Sequence, residues 1–167
     1  MKSVKSTGIQ YAALPYRIEA GQVRILLITS RETHRWVIPK GWPMNGLKPQ
    51  DAAAVEAAEE AGLIGEIEPH PLGSFGYQKR LKDGDAIAVQ VIVFPFRVND
   101  QVEFWKEQGQ RTIQWFGYRT AAGLVAEPSL KRLIREFGSE RSPSLMARGL
   151  RRYRAWRFGP VRSGVAA

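Results

Sequence analysis

Apolar and polar residues alternate along much of this chain, and the alternation predicts a protein with many strands and few helices. The strongest strand pattern covers residues 86–98, where Val89, Val91 and Val93 occupy every second position. A turn that contains Gly21 separates two more apolar runs and predicts a hairpin. These runs, together with shorter predicted strands, cover residues 10–18, 23–29, 35–39, 66–69, 74–81 and 112–118. Helical spacing predicts helices at 120–125 and 129–137.

A further helix is predicted between a loop that contains glycine and proline and the residue Gly62. Pro49 and Asp51 favour the start of this helix, and Gly62 stands where a left-handed C-terminal residue belongs. Three carboxylates share one stripe of the helix because they are three or four residues apart: Glu56, Glu59 and Glu60. Four alanines are predicted to lie opposite them and to let the helix approach a sheet closely: Ala54, Ala57, Ala58 and Ala61.

The acidic stripe has two interpretations. A solvated acidic face is the ordinary one, although like charges at these spacings cost about 0.2–0.5 kcal/mol per pair. A divalent cation would reverse the sign of that cost, because Mg²⁺ takes oxygen ligands, often one or two carboxylates. A further carboxylate could then accept a proton from an attacking water. The order of strand, Gly-containing loop and short helix favours the metal interpretation.

The spacing of these residues resembles the Nudix box, G-x5-E-x7-R-E-U-x-E-E-x-G-U, where U is a bulky aliphatic residue. The positions that match are Gly41, Glu56, Glu59, Glu60, Gly62 and Leu63. The resemblance implies an α/β (α+β) fold, an α/β/α sandwich with a mixed central sheet. It also implies Mg²⁺- or Mn²⁺-dependent hydrolysis of a pyrophosphate bond, in a nucleoside diphosphate linked to another group or in a related compound.

The same resemblance implies roles for individual residues. Glu56 and Glu60 match metal ligands, and Glu59 matches the general base or a further ligand. Members of the family differ in which glutamate is the base, so Glu56 and Glu59 are both catalytic candidates. A backbone carbonyl near Lys40 or Gly41 is an additional expected ligand.

Three positions depart from the box. Leu47 replaces its first glutamate, Val55 its arginine and Ala57 its aliphatic residue. We expect Leu47 and Val55 to touch, because packed aliphatic residues often replace a poorly solvated ion pair without loss of stability. The missing arginine leaves a second function open, that of a catalytically weakened Nudix-fold protein that binds nucleotide or RNA.

Motifs outside the box are similar to those of the diphosphoinositol polyphosphate and diadenosine polyphosphate phosphohydrolase branch. They are RWVIP at 35–39, VFPF at 93–96, WKE at 105–107, Arg111 and QWF at 114–116. Substrates of that branch are rich in phosphate, so cations should line the cleft. The candidates for substrate binding are Arg31, Arg35, Lys40, Arg80 and Arg111. The strand at 9–12 lacks the basic cluster that members of the branch often use there, which counts against inositol substrates. A dinucleoside polyphosphate or another nucleotide fits as well, with Tyr11 or Tyr77 stacked on a base.

Charge and composition divide the chain into two parts. Residues 141–167 contain seven arginines and no acidic residue, and so carry most of the net charge of +9. We expect a Nudix domain at 1–140 and an Arg-rich helix or tail at 141–167. The tail either packs on the domain or contacts an anionic partner, such as RNA, polyphosphate or an anionic membrane surface. The apolar runs are too short for a membrane span. The lack of cysteine and the polar first residues favour the cytoplasm.

Overall fold

The computed structural model describes residues 7–82 and 84–142. In chain order its elements are β1 (Gly8–Glu19), β2 (Gln22–Thr29), β3 (Trp36–Val37), β4 (Lys40–Gly41), α1 (Pro49–Ala61), β5 (Leu63–Ile67), β6 (Gly73–Arg80), β7 (Ala86–Gln101), β8 (Ile113–Gly117), α2 (Tyr118–Leu124) and α3 (Pro128–Arg141). The predicted hairpin, the box helix and the two later helices are confirmed. The predicted strand at 35–39 is shorter than expected and covers only Trp36–Val37.

The strands form one mixed sheet, as the family resemblance implies. Its central path runs β3-β2-β1-β7-β5, with β4 paired to β1, β6 to β7 and β8 to β2. Strands β1 and β7 are parallel, in a register that runs from Gly8 opposite Val89 to Tyr16 opposite Arg97. The other pairs within the sheet are antiparallel. The mixed sheet therefore has one parallel ladder at its centre.

Alternate residues of the central strands enter two separate cores. On β1, Ala12 and Leu14 join the core under α2 and α3, whereas Ala13 joins the core under α1. Strand β2 divides in the same way, with Leu27 on the first face and Leu26 on the second. Successive side chains of a strand point to opposite faces, so helices cover both sides of the sheet. The fold is the expected α/β/α sandwich.

Helix α1 begins and ends as its sequence predicts. Pro49 occupies the first turn, and Gly62 follows the helix in the left-handed conformation, with φ of 67°. A Cβ atom at Gly62 would also lie 2.6 Å from the Trp105 ring. The prediction for the alanines was wrong at one position, because Ala58 is exposed while Ala57 and other alanines are buried. The buried residues of the helix include Glu60, and the alanines buried with it are Ala52, Ala53, Ala57 and Ala61.

Helix α3 continues to Arg141, one residue beyond the expected boundary of the domain. The Arg-rich helix or tail is expected at 141–167, and residues 143–167 lie outside the described part of the chain. The division into domain and tail therefore stays a prediction. Arg141 belongs to the packed domain, since its guanidinium donates to the Tyr16 hydroxyl and to the Glu68 carboxylate. Within residues 7–82 and 84–142, no helix has the length and apolar character needed to cross a membrane.

Candidate active site

Strand β4 brings the start of the box loop against helix α1. Lys40 and Gly41 pair with Ala12 and Tyr11 of β1, which fixes the loop on the central sheet. The Glu56 carboxylate lies so close to Gly41 that a Cβ atom at this position would overlap it. The glycine is therefore required by a contact, and the contact holds Glu56 beside the Gly41 backbone.

Glu60 is the most deeply buried of the three glutamates, at 8% exposed. Its Oε2 accepts the Lys40 backbone N–H at 3.2 Å, and its Oε1 accepts Nη2 of Arg111 at 2.6 Å. Burial raises the pKa of Glu60 to about 7, against the opposing effects of the Arg111 and Lys40 charges. Both oxygens of this carboxylate are therefore held in place by the protein.

Glu56 and Glu59 are more accessible and face the same opening. Lys106 Nζ donates to Glu59 Oε2 at 2.8 Å across an exposed ion pair. Burial raises the pKa of Glu56, and the neighbouring charge of Glu59 raises it further. Carboxylates that are partly desolvated and close to each other favour protonation or a shared cation.

A cleft of about 740 Å³ is lined by all the candidate catalytic, metal-binding and cationic residues, but not by Tyr11. The three glutamates and Gly41 contribute to one part of its lining. The predicted substrate-binding residues contribute to the remainder, together with uncharged and aromatic side chains. In chain order, the predicted residues in the lining are Arg31, Arg35, Lys40, Gly41, Glu56, Glu59, Glu60, Arg80 and Arg111.

The cationic candidates differ in how freely they reach the cleft. Arg31 and Arg35 are exposed. Arg31 contacts the Glu107 carboxylate at 3.5 Å, and Arg35 contacts the Glu127 carboxylate at 3.4 Å. Arg80 is exposed at the end of β6. These three guanidinium groups are accessible to an anionic ligand.

Lys40 and Arg111 are held by the protein more firmly. Lys40 Nζ lies 5.3 Å from the centre of the Tyr77 ring, and burial lowers the pKa of its amine. Arg111 has a side chain only 7% exposed, and it donates to Glu60, Glu107 and the Thr29 carbonyl. In the structure Arg111 binds these protein groups, and its contact with a substrate phosphate stays a prediction.

The chain matches the family model for the NUDIX domain over residues 10–137. The protein belongs to the Nudix family. It is similar to Nudix hydrolase 17, mitochondrial, of Arabidopsis thaliana, with 31% identity over 65% of this chain and 61% of that protein. It is also similar to Nudix hydrolase 12, mitochondrial, of the same plant, with 27% identity over 70% of this chain and 59% of that protein. The chain spans about three fifths of the length of these curated relatives.

Solved structures show the same Nudix fold at lower sequence identity. The Caenorhabditis elegans Ap4A hydrolase is 21% identical, with a TM-score of 0.58, over 80% of this chain and 98% of that one. The NUDIX domain of Shewanella oneidensis NrtR, solved with ADP ribose, is 15% identical, with a TM-score of 0.58, over 79% and 88%. The predicted family and fold class are confirmed.

Nudix hydrolases generally use divalent metal ions, and the chemistry of this donor set fits one. The carboxylate oxygens of Glu56, Glu59 and Glu60 are hard donors of the kind that such ions prefer. A Cβ atom at Gly41 would overlap the Glu56 carboxylate, so the glycine leaves room for this donor beside the loop. Among residues 7–82 and 84–142, no three acidic, histidine or cysteine side chains are arranged to hold an ion. In this arrangement Lys106 and Arg111 bind Glu59 and Glu60.

Three residues of the Nudix cleft were missed by the sequence reasoning. Glu107 binds Arg111 within the loop before β8, where no helix places residues four apart side by side, so the sequence carries no local signal for this pair. Glu127 lies at the start of α3 and carries no local signal either. Gln10 is 3% exposed and accepts a hydrogen bond from the Tyr77 hydroxyl at 2.8 Å. Burial raises the pKa of Tyr77 to about 12, so the hydroxyl remains a donor at neutral pH.

Proposed function

We propose that this protein hydrolyses a pyrophosphate bond in a nucleoside-diphosphate-linked or polyphosphorylated small molecule, with Mg²⁺ or Mn²⁺ as the cofactor. The observation that carries the proposal is the cleft whose lining contains Glu56, Glu59 and Glu60 together with several cationic side chains. Oligophosphate needs both groups of residues, because carboxylates hold a cation beside the phosphate and arginines neutralise its remaining charge.

Glu56 and Glu60 would hold the metal ion, with Glu59 or the Gly41 carbonyl as a further ligand. Such an ion, when bound, neutralises phosphate charge and makes its coordinated water more acidic. Glu59 is accessible from the cleft and would accept the proton of the attacking water. Glu56 is the alternative base, because it lines the same cleft and burial raises its pKa.

Arg31, Arg35 and Arg80 would bind the substrate phosphates, and Lys40 would add a charge at the base of the cleft. Arg31 and Arg35 are about half exposed and each is paired with a carboxylate at 3.4–3.5 Å. Exposed pairs of this kind contribute little stability. A phosphate offers denser negative charge and bidentate geometry, so these guanidinium groups can exchange partners when substrate binds.

A dinucleoside polyphosphate and a diphosphoinositol polyphosphate are the two substrate classes that we propose. Tyr77 favours the nucleotide, because its ring belongs to the cleft lining and could stack on a base. Tyr11, the other aromatic candidate, packs edge-on against Phe94 in the core beside α1. The fold of the C. elegans Ap4A hydrolase is compatible with the same preference.

A binding protein that keeps the Nudix fold is the second candidate function. The pairing of Glu59 with Lys106 and of Glu60 with Arg111 favours it, because both carboxylates already have cationic partners. Leu47 and Val55 also favour a binding function, because they replace a glutamate and an arginine of the box. Leu47 is 44% exposed. An anionic partner for the Arg-rich residues 141–167 and a cytoplasmic location remain predictions from sequence.

The two functions are separated by Mg²⁺-dependent phosphate release from dinucleoside polyphosphates, nucleotide sugars and diphosphoinositol polyphosphates. We expect Glu59→Gln and Glu60→Gln to lower turnover by about a hundredfold or more. Glu66→Gln is the matched control, because Glu66 is exposed on β5 and does not line the cleft. If both glutamine variants equal the wild type on every hydrolysed compound, the protein does not use this site for hydrolysis.

A further inference from the structure

The loop between β7 and β8 is attached to the C-terminal end of helix α1. The Val102 N–H donates to the Gly62 carbonyl at 2.8 Å, and the Glu107 N–H donates to the Glu59 carbonyl at 3.0 Å. Gln101 Nε2 donates to the Ala61 carbonyl at 2.8 Å. The last carbonyl groups of a helix lack partners within it, and this loop supplies them. The loop is therefore fixed relative to the box glutamates.

Arg111 stands at the end of this loop and uses three separate nitrogen atoms on three protein groups. Nε donates to Glu107 Oε2 at 2.8 Å, Nη1 to the Thr29 carbonyl at 3.0 Å and Nη2 to Glu60 Oε1 at 2.6 Å. The side chain is only 7% exposed. A planar guanidinium held at three points has one orientation, so the bond to Glu60 has a fixed direction.

Glu60 is consequently held from two sides. Arg111 binds Oε1, while the Lys40 backbone N–H binds Oε2 at 3.2 Å. Each carboxylate oxygen has two lone-pair sites, so these bonds leave positions that can coordinate a cation. These two hydrogen bonds fix the plane of the Glu60 carboxylate, and so its remaining lone pairs keep a constant direction.

Val55 occupies the position where the Nudix box has arginine. A half-buried aliphatic side chain cannot bind a carboxylate, so position 55 supplies no cationic partner for the box glutamates. We propose that Arg111, which lies outside the box, is a positioning residue that orients Glu60 for the divalent cation. The inference rests on the proposed metal-dependent function. It assigns this task to a residue that is 51 positions away from Glu60 in sequence.

The contrary role is that of an internal cation that competes with the metal for Glu60. Under that role the removal of Arg111 would free the carboxylate and strengthen metal binding. Under the positioning role its removal leaves Glu60 buried with a single hydrogen bond and weakens metal binding. The two roles therefore predict opposite signs for one measurable quantity.

The test is the Mn²⁺ dissociation constant of the full chain, measured by the electron paramagnetic resonance signal of free Mn²⁺. We expect Arg111→Gln to raise this constant about tenfold or more, as is typical when a residue that orients a metal ligand is lost. Arg141→Gln is the matched control, because Arg141 also bonds a carboxylate, Glu68, but lies outside the cleft lining. We expect it to leave the Mn²⁺ constant unchanged.

Arg111→Lys is the second variant, and it is the more conservative change because it keeps the positive charge. Lysine retains the charge but not the planar set of donors, so its Mn²⁺ constant should lie clearly above that of the wild type. A value equal to that of the wild type for Arg111→Lys, or equal or tighter binding by a folded Arg111→Gln, overturns the inference. The outcome is independent of turnover. If the Mn²⁺ affinity depends on Arg111 but the wild type hydrolyses nothing, only the proposed reaction is refuted.

Discussion

The carboxylate of Glu56 lies directly against the α-carbon of Gly41. No side chain fits between them, because a Cβ atom on Gly41 would overlap the carboxylate. The two residues come from different elements, β4 and α1, so the contact joins the sheet to the box helix. Gly41 thus determines the position of a proposed metal ligand without itself having a side chain.

Gly41→Ala should therefore displace Glu56 and impair the site. We expect Mn²⁺ affinity and kcat/KM to fall about tenfold or more, as measured by metal titration and by phosphate release. Gly123→Ala is the control, because a Cβ atom at this glycine of α2 meets open space. That variant should keep full activity. An active, metal-binding Gly41→Ala would show that Glu56 is not a ligand.

Gly62→Ala should destabilise the protein for two separable reasons. Its φ of 67° disfavours any residue with a side chain, at a cost of about 1–2 kcal/mol. The new Cβ atom would also press on the Trp105 ring, and overpacking costs about 1–3 kcal/mol. Gly46→Ala has the same kind of backbone, with φ of 79°, but meets no neighbour. Urea denaturation should show a clearly larger loss for Gly62→Ala, and equal losses would exclude the contribution of Trp105.

The stability of the metal-free protein should decrease with pH because of Glu60. Its pKa rises from 4.5 in the unfolded chain to about 7 in the folded protein. The resulting stabilisation is present below pH 4.5 and is lost as the pH rises through 7, up to about 3 kcal/mol. Denaturation in the presence of a chelator between pH 4.5 and 8 should show this decrease in the wild type. Glu60→Gln should lack that component, and parallel curves for the two proteins would contradict the assignment.

Tyr77→Ala should distinguish the two substrate classes. Loss of a base stacked on an aromatic ring costs about 1–3 kcal/mol, or roughly a factor of ten in affinity and sometimes more. We expect the KM for a dinucleoside polyphosphate to rise by that factor, while a diphosphoinositol polyphosphate, which has no base, is unaffected. Tyr77→Phe keeps the ring but loses the hydrogen bond to Gln10 and should resemble the wild type. Equal effects of Tyr77→Ala on both substrates would exclude stacking.

The parts of the site that could be predicted from sequence are those set by local spacing. Pro49, the glutamates and Gly62 determine helix α1 through capping and through a period of 3.6 residues, and the structure confirms its bounds. The parts that could not be predicted depend on residues distant in the chain. The bond between Arg111 and Glu60 depends on how the loop before β8 docks on α1, and no local pattern encodes that docking. The exposure of Ala58 was mispredicted because helical periodicity groups residues on one face but does not show which face packs on the sheet.

The parallel ladder between β1 and β7 also determines the order in which the protein can be completed during translation. The nascent chain makes β1 first, yet the strand that pairs with its other edge ends only at Gln101. Contacts so distant in sequence close late, and an open edge invites pairing with other chains. Ribosome-bound fragments that stop before β7 should therefore need protection from aggregation, even though they already contain the whole of helix α1.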